Sequence, residues 1–294
     1  MSGSSSDGPS WKPAVDAVRK YYNFLVEELG AIPADCVEHA PEEGWPSISE
    51  GSLAGLEKTK EVVDVLRHLP YIKYCHGFNV QIAFGTEALD YRGAEVAVGD
   101  RSRWIPHGSL EFPPHVVVLT ADDSPGSYGS QILLDTKKNT FSDYQPGGPS
   151  RAPESNAETN PDDFWHSRET RPVAEFFGLW EERFRSLEWT VDPFDDEAGM
   201  LLRYDNATDA SFWIPPPSPP RSPCEVRQIY RDHGWPDDFR RRECRDALQE
   251  WNRTIRDRLA EPGNNLHEIN RRLPGPQESY RGSEGEDEDT QSIC

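Results

Sequence analysis

The sequence predicts an α+β fold, a mostly antiparallel sheet flanked by helices, with a helical appendix near the C-terminal end. Three observations carry that expectation. Two helix-period apolar stripes, within 13–29 and 173–187, bracket the β-rich middle of the chain. Between them, the runs 115–120, 131–136 and 140–145 are joined too closely for a parallel return, which needs a crossover. Nine Trp, ten Tyr and twelve Phe supply a large buried area despite a hydrophobic fraction of only 35%.

Residues 1–12 form a Ser/Gly-rich tail that is expected to be disordered. From Pro13 onward, Val15, Val18, Tyr22, Leu25 and Leu29 recur on one helix face, and Gly30 is placed to end it. A Pro/Gly-rich loop around Trp45 follows. A second helix is expected from Leu53 to His68, with Leu56, Val63 and Leu66 on one face and Pro70 as its stop. Residues 71–100 read as short strands broken by glycines.

The runs "HVVVLT" and "QILLDT" are apolar without alternation, which is the pattern of strands covered on both faces. Between them, "DDSPGSYGS" invites comparison with a phosphate-binding loop. Its acids would repel phosphate, and a strand rather than a helix follows, so it reads as a hairpin turn around Gly126 and Gly129. Lys137-Lys138-Asn139 is a second turn, since Asn tolerates the left-handed conformation. "TFSDYQ" alternates around Phe141 and Tyr144 and is expected to be a more exposed strand.

After a flexible excursion at 147–162, Val173, Phe176, Trp180, Phe184 and Leu187 form an aromatic stripe. Glu181, Glu182, Arg183 and Arg185 are expected outside it. The core domain is therefore read as 13–190, followed by a Pro-rich linker at 191–223. The appendix, 224–260, holds a short helix stopped by Gly234 and a longer one capped by Asp237 or Asp238. Cys244, Leu248, Trp251, Ile255 and Leu259 align along the longer helix. Because the Trp251 face needs cover, the appendix is expected to pack on the core. Residues 261–294 are acidic and expected to be disordered.

With 52 acidic against 31 basic residues, the net charge is -21. Such a field repels nucleic acid and anionic membrane surfaces and favours a protein partner with a basic surface. No run is apolar enough to span a bilayer, so no membrane insertion is expected. The first residues lack a secretory pattern, and the five Cys, at 36, 75, 224, 244 and 294, are odd in number and without CxxC spacing. They read as free thiols in a reducing compartment, which makes the expected location cytoplasmic or nuclear. Oligomeric state is not legible.

Chemistry-bearing groups are scattered. His68, Cys75 and His76 lack a second ligand pair, so no metal site is expected, and His68 reads as a helix-end residue. Asp122-Asp123 and Asp195-Asp196-Glu197 lack the spacing of a calcium loop. His233 beside Asp232 could act as a base but more simply ends a helix. Asp135, closing a buried strand, reads as an acceptor for the following turn. No catalytic residue, cofactor or metal is assigned, and an enzyme is not favoured. The candidate ligand or partner surface comprises Trp45, Tyr71, Phe84, Trp104, Tyr128, Asp135, His233 and Trp235. The aromatics among 45–104, Phe78 included, either line an apolar pocket or form core.

The stretch "VVVLTADDSPGSYGSQILLDTKKNTFSDY" resembles the hairpin of the SUKH superfamily, which includes fungal cell-wall-assembly and glucan-synthesis regulators and bacterial immunity proteins. The shared features are the "VVVL" strand, the loop ending "YGS", "ILLDT" and the short turn. "RPVAEFFGLWEERFRSLEW" resembles the helix that often follows. The resemblance spans about residues 45–190. Upstream, Leu69-Pro70 and Tyr74 echo an early family signature, but no Asn-Gly turn follows. The resemblance implies a non-enzymatic scaffold that contacts a partner through its sheet and loops, with no shared catalytic residues. An intracellular interaction or regulatory protein is thus the first expectation. The alternative is a small-molecule-binding or accessory protein of a biosynthetic pathway, fungal by resemblance, with an aromatic pocket.

Overall fold

The computed structural model describes residues 9–73, 80–83, 85–93, 112–122, 129–144, 170–192, 200–203 and 223–260. The chain divides into two compact units, residues 1–203 and 204–294. The fold is α+β, and every strand pairing in the described residues is antiparallel.

In the first unit, helix α1 (Lys12–Asn23) begins with Pro13 in its first turn and continues as one π-helical turn over Phe24–Glu28. Gly30, at φ 68°, ends the run. The order starts earlier than the expected tail boundary, because Trp11 stacks on His68 at 3.9 Å between ring centroids and is thereby fixed. Helix α2 (Lys60–His68) is shorter than expected. Residues Ala54–Leu56 form a separate 3₁₀ turn, Glu57 adopts the left-handed conformation at φ 51°, and Thr59 caps α2 by accepting from the Val62 amide. Leu56 therefore lies outside the helix whose face it was expected to share.

The strands are short. They are β1 (Val37–Glu38), β2 (Tyr71–Ile72), β3 (Gln81–Ala83), β4 (Thr86–Ala88), β5 (Val116–Val118), β6 (Thr120–Asp122), β7 (Gln131–Asp135), β8 (Thr140–Tyr144) and β9 (Arg171–Pro172). A hairpin of β10 (Trp189–Asp192) and β11 (Met200–Arg203) closes the unit. It lies partly in the stretch expected to be linker, because Trp189 packs edge-on against Trp180 and Phe184 and the chain beyond it, with Val191 buried, pairs with Met200–Arg203.

The hairpin expectation for 116–144 holds, with Val117 opposite Leu134 and Leu134 opposite Phe141. Asn139 makes its turn at φ 55°. The loop residues 123–128 lie outside the described residues. Two features were not expected. First, the run 116–122 breaks at Leu119, so that β5 joins β7 in the sheet β5-β7-β8-β9 while β6 joins β4 in the sheet β3-β4-β6. At the break, the Thr120 hydroxyl donates to the Ser130 carbonyl and accepts from the Ile132 amide, both at 2.7 Å. Second, β8 is not exposed. Phe141, Ser142 and Asp143 are all buried, because β8 is flanked by β7 and β9 and covered by the following helix.

That helix, α3 (Val173–Arg185), buries Val173, Phe176, Trp180 and Phe184, with Leu187 just beyond it. Phe141 meets Phe176 and Phe177 at 5.5 and 5.3 Å, which joins helix to sheet. Tyr21 of α1 stacks on Phe177 at 4.6 Å, so α1 packs on α3. Glu181 is buried too, contrary to expectation, because α1 covers the face of α3 that carries both Phe177 and Glu181.

Cys36 is disulfide-bonded, which corrects the expectation of five free thiols. The correction also removes one support for a reducing compartment, since disulfides persist in oxidising ones.

In the second unit, helix α4 (Pro223–Asp232) ends at Gly234, φ 83°, and α5 (Arg241–Ala260) follows. The longer helix starts at Arg241, beyond Asp237 and Asp238. Those two residues lie in the preceding turn, where the Asp238 amide donates to the Gly234 carbonyl. Tyr230, Trp235 and Phe239 cluster with centroids 4.8–6.0 Å apart. Cys244 and Leu248 are buried, while Trp251 is half-buried with its indole donating to Glu225 on α4 at 2.8 Å. The expected tail at 261–294 and the excursion at 147–162 lie outside the described residues.

Candidate functional site

Of the sequence-predicted surface residues, the fold brings together Trp45 and Tyr71, whose rings stand 6.1 Å apart. Local chemistry fixes both. The Trp45 amide donates to the Arg67 carbonyl and its indole to the Leu69 carbonyl, both at 2.8 Å. Gly44 makes the approach possible at φ 76°, since a Cβ there would stand 2.5 Å from Arg67 Cγ. The Tyr71 hydroxyl donates to the Leu66 carbonyl at 2.7 Å.

The rings do not wall an open pocket. The Arg92 guanidinium lies over both, 4.6 Å from Trp45 and 5.1 Å from Tyr71. Asp90 takes a bidentate share of that guanidinium at 2.6–3.1 Å, and Glu38 accepts from its Nη1 at 2.5 Å. The hydrogen bonds from Asp90, opposed by partial burial and reinforced by Glu38, hold Arg92 above its ordinary pKa. The adjacent apolar cleft, lined by Val18, Tyr22, Tyr71, Ile82 and Phe177 among others, encloses about 20 Å³, room for a water molecule rather than a ligand.

Asp135 has the structural role expected of it: its Oδ1 accepts from the Lys137 and Lys138 amides at 2.9 Å each. His115 Nε2 stands 3.9 Å from the same oxygen. In the second unit, His233 and Asp232 do not form a proton-transfer pair. His233 Nδ1 is hydrogen-bonded to the Ile229 carbonyl at 2.7 Å, and Asp232 Oδ1 accepts from Gln228 at 2.7 Å. Trp235 is buried in its aromatic cluster. Phe84, Trp104, Tyr128 and Phe78 lie outside the described residues, as do Cys75 and His76.

A larger concavity lies elsewhere. It is an open groove of about 490 Å³ between α1 with its π turn and α3, lined by Asp16, Arg19, Lys20, Glu27, Glu28, Glu181 and Arg185, with Asn23 and Phe24 between them. The π turn ends α1 with Phe24 directed into the core and Glu27 and Glu28 exposed on the rim. Arg185 bridges the groove, donating to Glu181 Oε2 at 3.2 Å and Glu28 Oε2 at 3.3 Å, with its guanidinium 5.0 Å from the Phe24 ring.

Glu181 forms the floor, only 4% exposed. Its Oε1 accepts no hydrogen bond among the described residues, and the Lys20 ammonium stands 3.6 Å away. Lys20 is itself 73% exposed, so its hold on that oxygen is that of a surface ion pair. The sequence reading missed this site. The one available signal was spacing: Phe177 and Glu181 are four residues apart and share a face with the aromatic stripe.

Among the described residues, no group of three His, Cys, Asp or Glu could hold a metal ion, and no helix is long and apolar enough to cross a membrane. No family model matches the chain, and no curated protein or solved structure matches it either.

Proposed function

We propose that this chain is a non-enzymatic interaction or regulatory module, an α+β scaffold of SUKH-like type whose acidic surface engages a protein partner bearing basic residues. The observation that carries the reading is the open groove between α1 and α3, with the buried Glu181 carboxylate at its floor and the exposed Glu27 and Glu28 at its rim beside Arg19, Lys20 and Arg185. The net charge of -21 supports it, because a field of that sign raises the encounter rate with a cationic partner. The Arg92 clamp over Trp45 and Tyr71 argues against those rings as a small-molecule pocket.

The test is fluorescence anisotropy with a labelled lysine/arginine-rich peptide and a glutamate-rich peptide of equal length, at low and at high salt. The reading expects binding of the basic peptide alone, weakened by salt. Failure of the basic peptide to bind at low salt would discard it.

A further inference from the structure

Resting on that reading, we propose that the groove between α1 and α3 receives a single Lys or Arg side chain from a basic segment of the partner, with Glu181 as its acceptor. Glu181 is buried, faces the groove and has one oxygen that accepts no hydrogen bond among the described residues. A buried carboxylate oxygen in that condition costs free energy that a donor would recover. Lys20 is the resident stand-in. Its ammonium is too far for a hydrogen bond at 3.6 Å, and its side chain is 73% exposed, so it can swing into solvent when another cation arrives.

The surroundings fit a cationic side chain at the end of an aliphatic stem. Asp16, Glu27 and Glu28 set carboxylates at the opening, interleaved with Arg19, Lys20 and Arg185, and the Phe24 ring lies beneath the Arg185 guanidinium at the inner end. Arg185 fixes the floor by holding Glu181 Oε2, which leaves Oε1 as the oxygen directed to the newcomer. A volume of about 490 Å³ accommodates such a side chain together with part of its backbone.

The experiment uses the full chain and a labelled lysine/arginine-rich peptide as probe, and compares pairs of variants that change net charge equally. Glu27→Gln with Glu28→Gln alters the groove rim, while Glu42→Gln with Glu43→Gln removes two exposed acids from the loop before Trp45. The groove pair is expected to weaken binding by about tenfold and the loop pair by less than about twofold. Lys20→Ala removes the resident cation and is expected to tighten binding more than Lys60→Ala, which removes an exposed cation from α2.

Glu181→Gln is expected to abolish the distinction between Lys20→Ala and Lys60→Ala, with a melting curve run alongside to establish that the variant folds. Should it not fold, the two charge-matched pairs decide the matter. Equal weakening by the groove and loop pairs would overturn the groove while leaving the acidic-surface reading standing. Absence of binding to any form of the chain would overturn both.

Discussion

The Tyr21 hydroxyl donates to the Ile82 carbonyl at 2.6 Å across 61 residues of sequence, tying α1 to β3 at a fully buried position. The same ring stacks on Phe177 and meets Trp180 edge-on at 5.7 Å, so one side chain joins the first helix, the third helix and the small sheet. Removing the hydroxyl alone leaves a buried carbonyl without its donor. Tyr21→Phe is expected to cost about 1–2 kcal/mol. Tyr21→Ala, which also empties the stack, is expected to cost about 3–5 kcal/mol, and urea denaturation of both variants checks the ranking.

Tyr21, Tyr22, Tyr71 and Tyr91 all have pKa values raised by burial, first of all through desolvation of the phenolate. The sign follows from proton counting. In the unfolded chain these groups lose protons near pH ~10, while the folded chain retains them, so folding stability is intact below that pH and falls as pH rises toward the folded values. With four groups acting together, the loss approaches about 5 kcal/mol per pH unit. Absorbance at 295 nm should show these four phenols ionising only with alkaline unfolding. A gradual titration ahead of the loss of circular dichroism would contradict that.

Gly44 is expected to reject any side chain. Its φ is 76°, and a Cβ at this position would stand only 2.8 Å from the Arg67 carbonyl oxygen, which leaves no relaxed solution. Gly44→Ala should destabilise the first unit by about 1–3 kcal/mol and loosen Trp45, whose fluorescence reports the change.

Thr120→Val keeps the shape of the side chain but removes the hydroxyl that serves both the Ser130 carbonyl and the Ile132 amide. Leaving two buried backbone groups unserved is expected to cost about 2–4 kcal/mol. Thr120→Ser, retaining the hydroxyl, should recover much of it. Amide hydrogen exchange at Ile132 distinguishes the two.

The cysteines give a chemical check. Cys244 is a free, buried thiol, and burial pushes its pKa up to about 12, so almost no thiolate forms at neutral pH. Alkylation of the native protein at neutral pH should leave Cys244 unmodified until denaturant is added. Cys36, by contrast, should resist alkylation even in denaturant until a reductant is present. Labelling of Cys36 without reductant would contradict its disulfide.

Local patterning was readable wherever neighbours in sequence decide the outcome. The stripe from Val173 to Phe184 is one helix face, and its burial follows from its own spacing, while Leu187 is buried just past the helix end at φ 61°. The turn at Asn139 was legible because few residues other than Gly and Asn take a positive φ readily. The antiparallel sense of β5, β7 and β8 was legible because their connections are too short for any other return. Asp135 was readable as a turn acceptor for the same local reason.

What only the tertiary structure decided is which faces meet. Glu181 reads as a solvated helix residue, one turn before Arg185, until α1 lies across it, and Lys20 becomes its neighbour only through that packing. The kink at Leu119, the burial of Ser142 and Asp143 in β8, and the Arg92 clamp on Trp45 and Tyr71 likewise depend on partners tens of residues away. Short-range periodicity sets the elements and their amphipathic faces. The free energy of bringing distant faces together, and of satisfying the polar groups caught between them, selects the groove, and no local pattern encodes that selection.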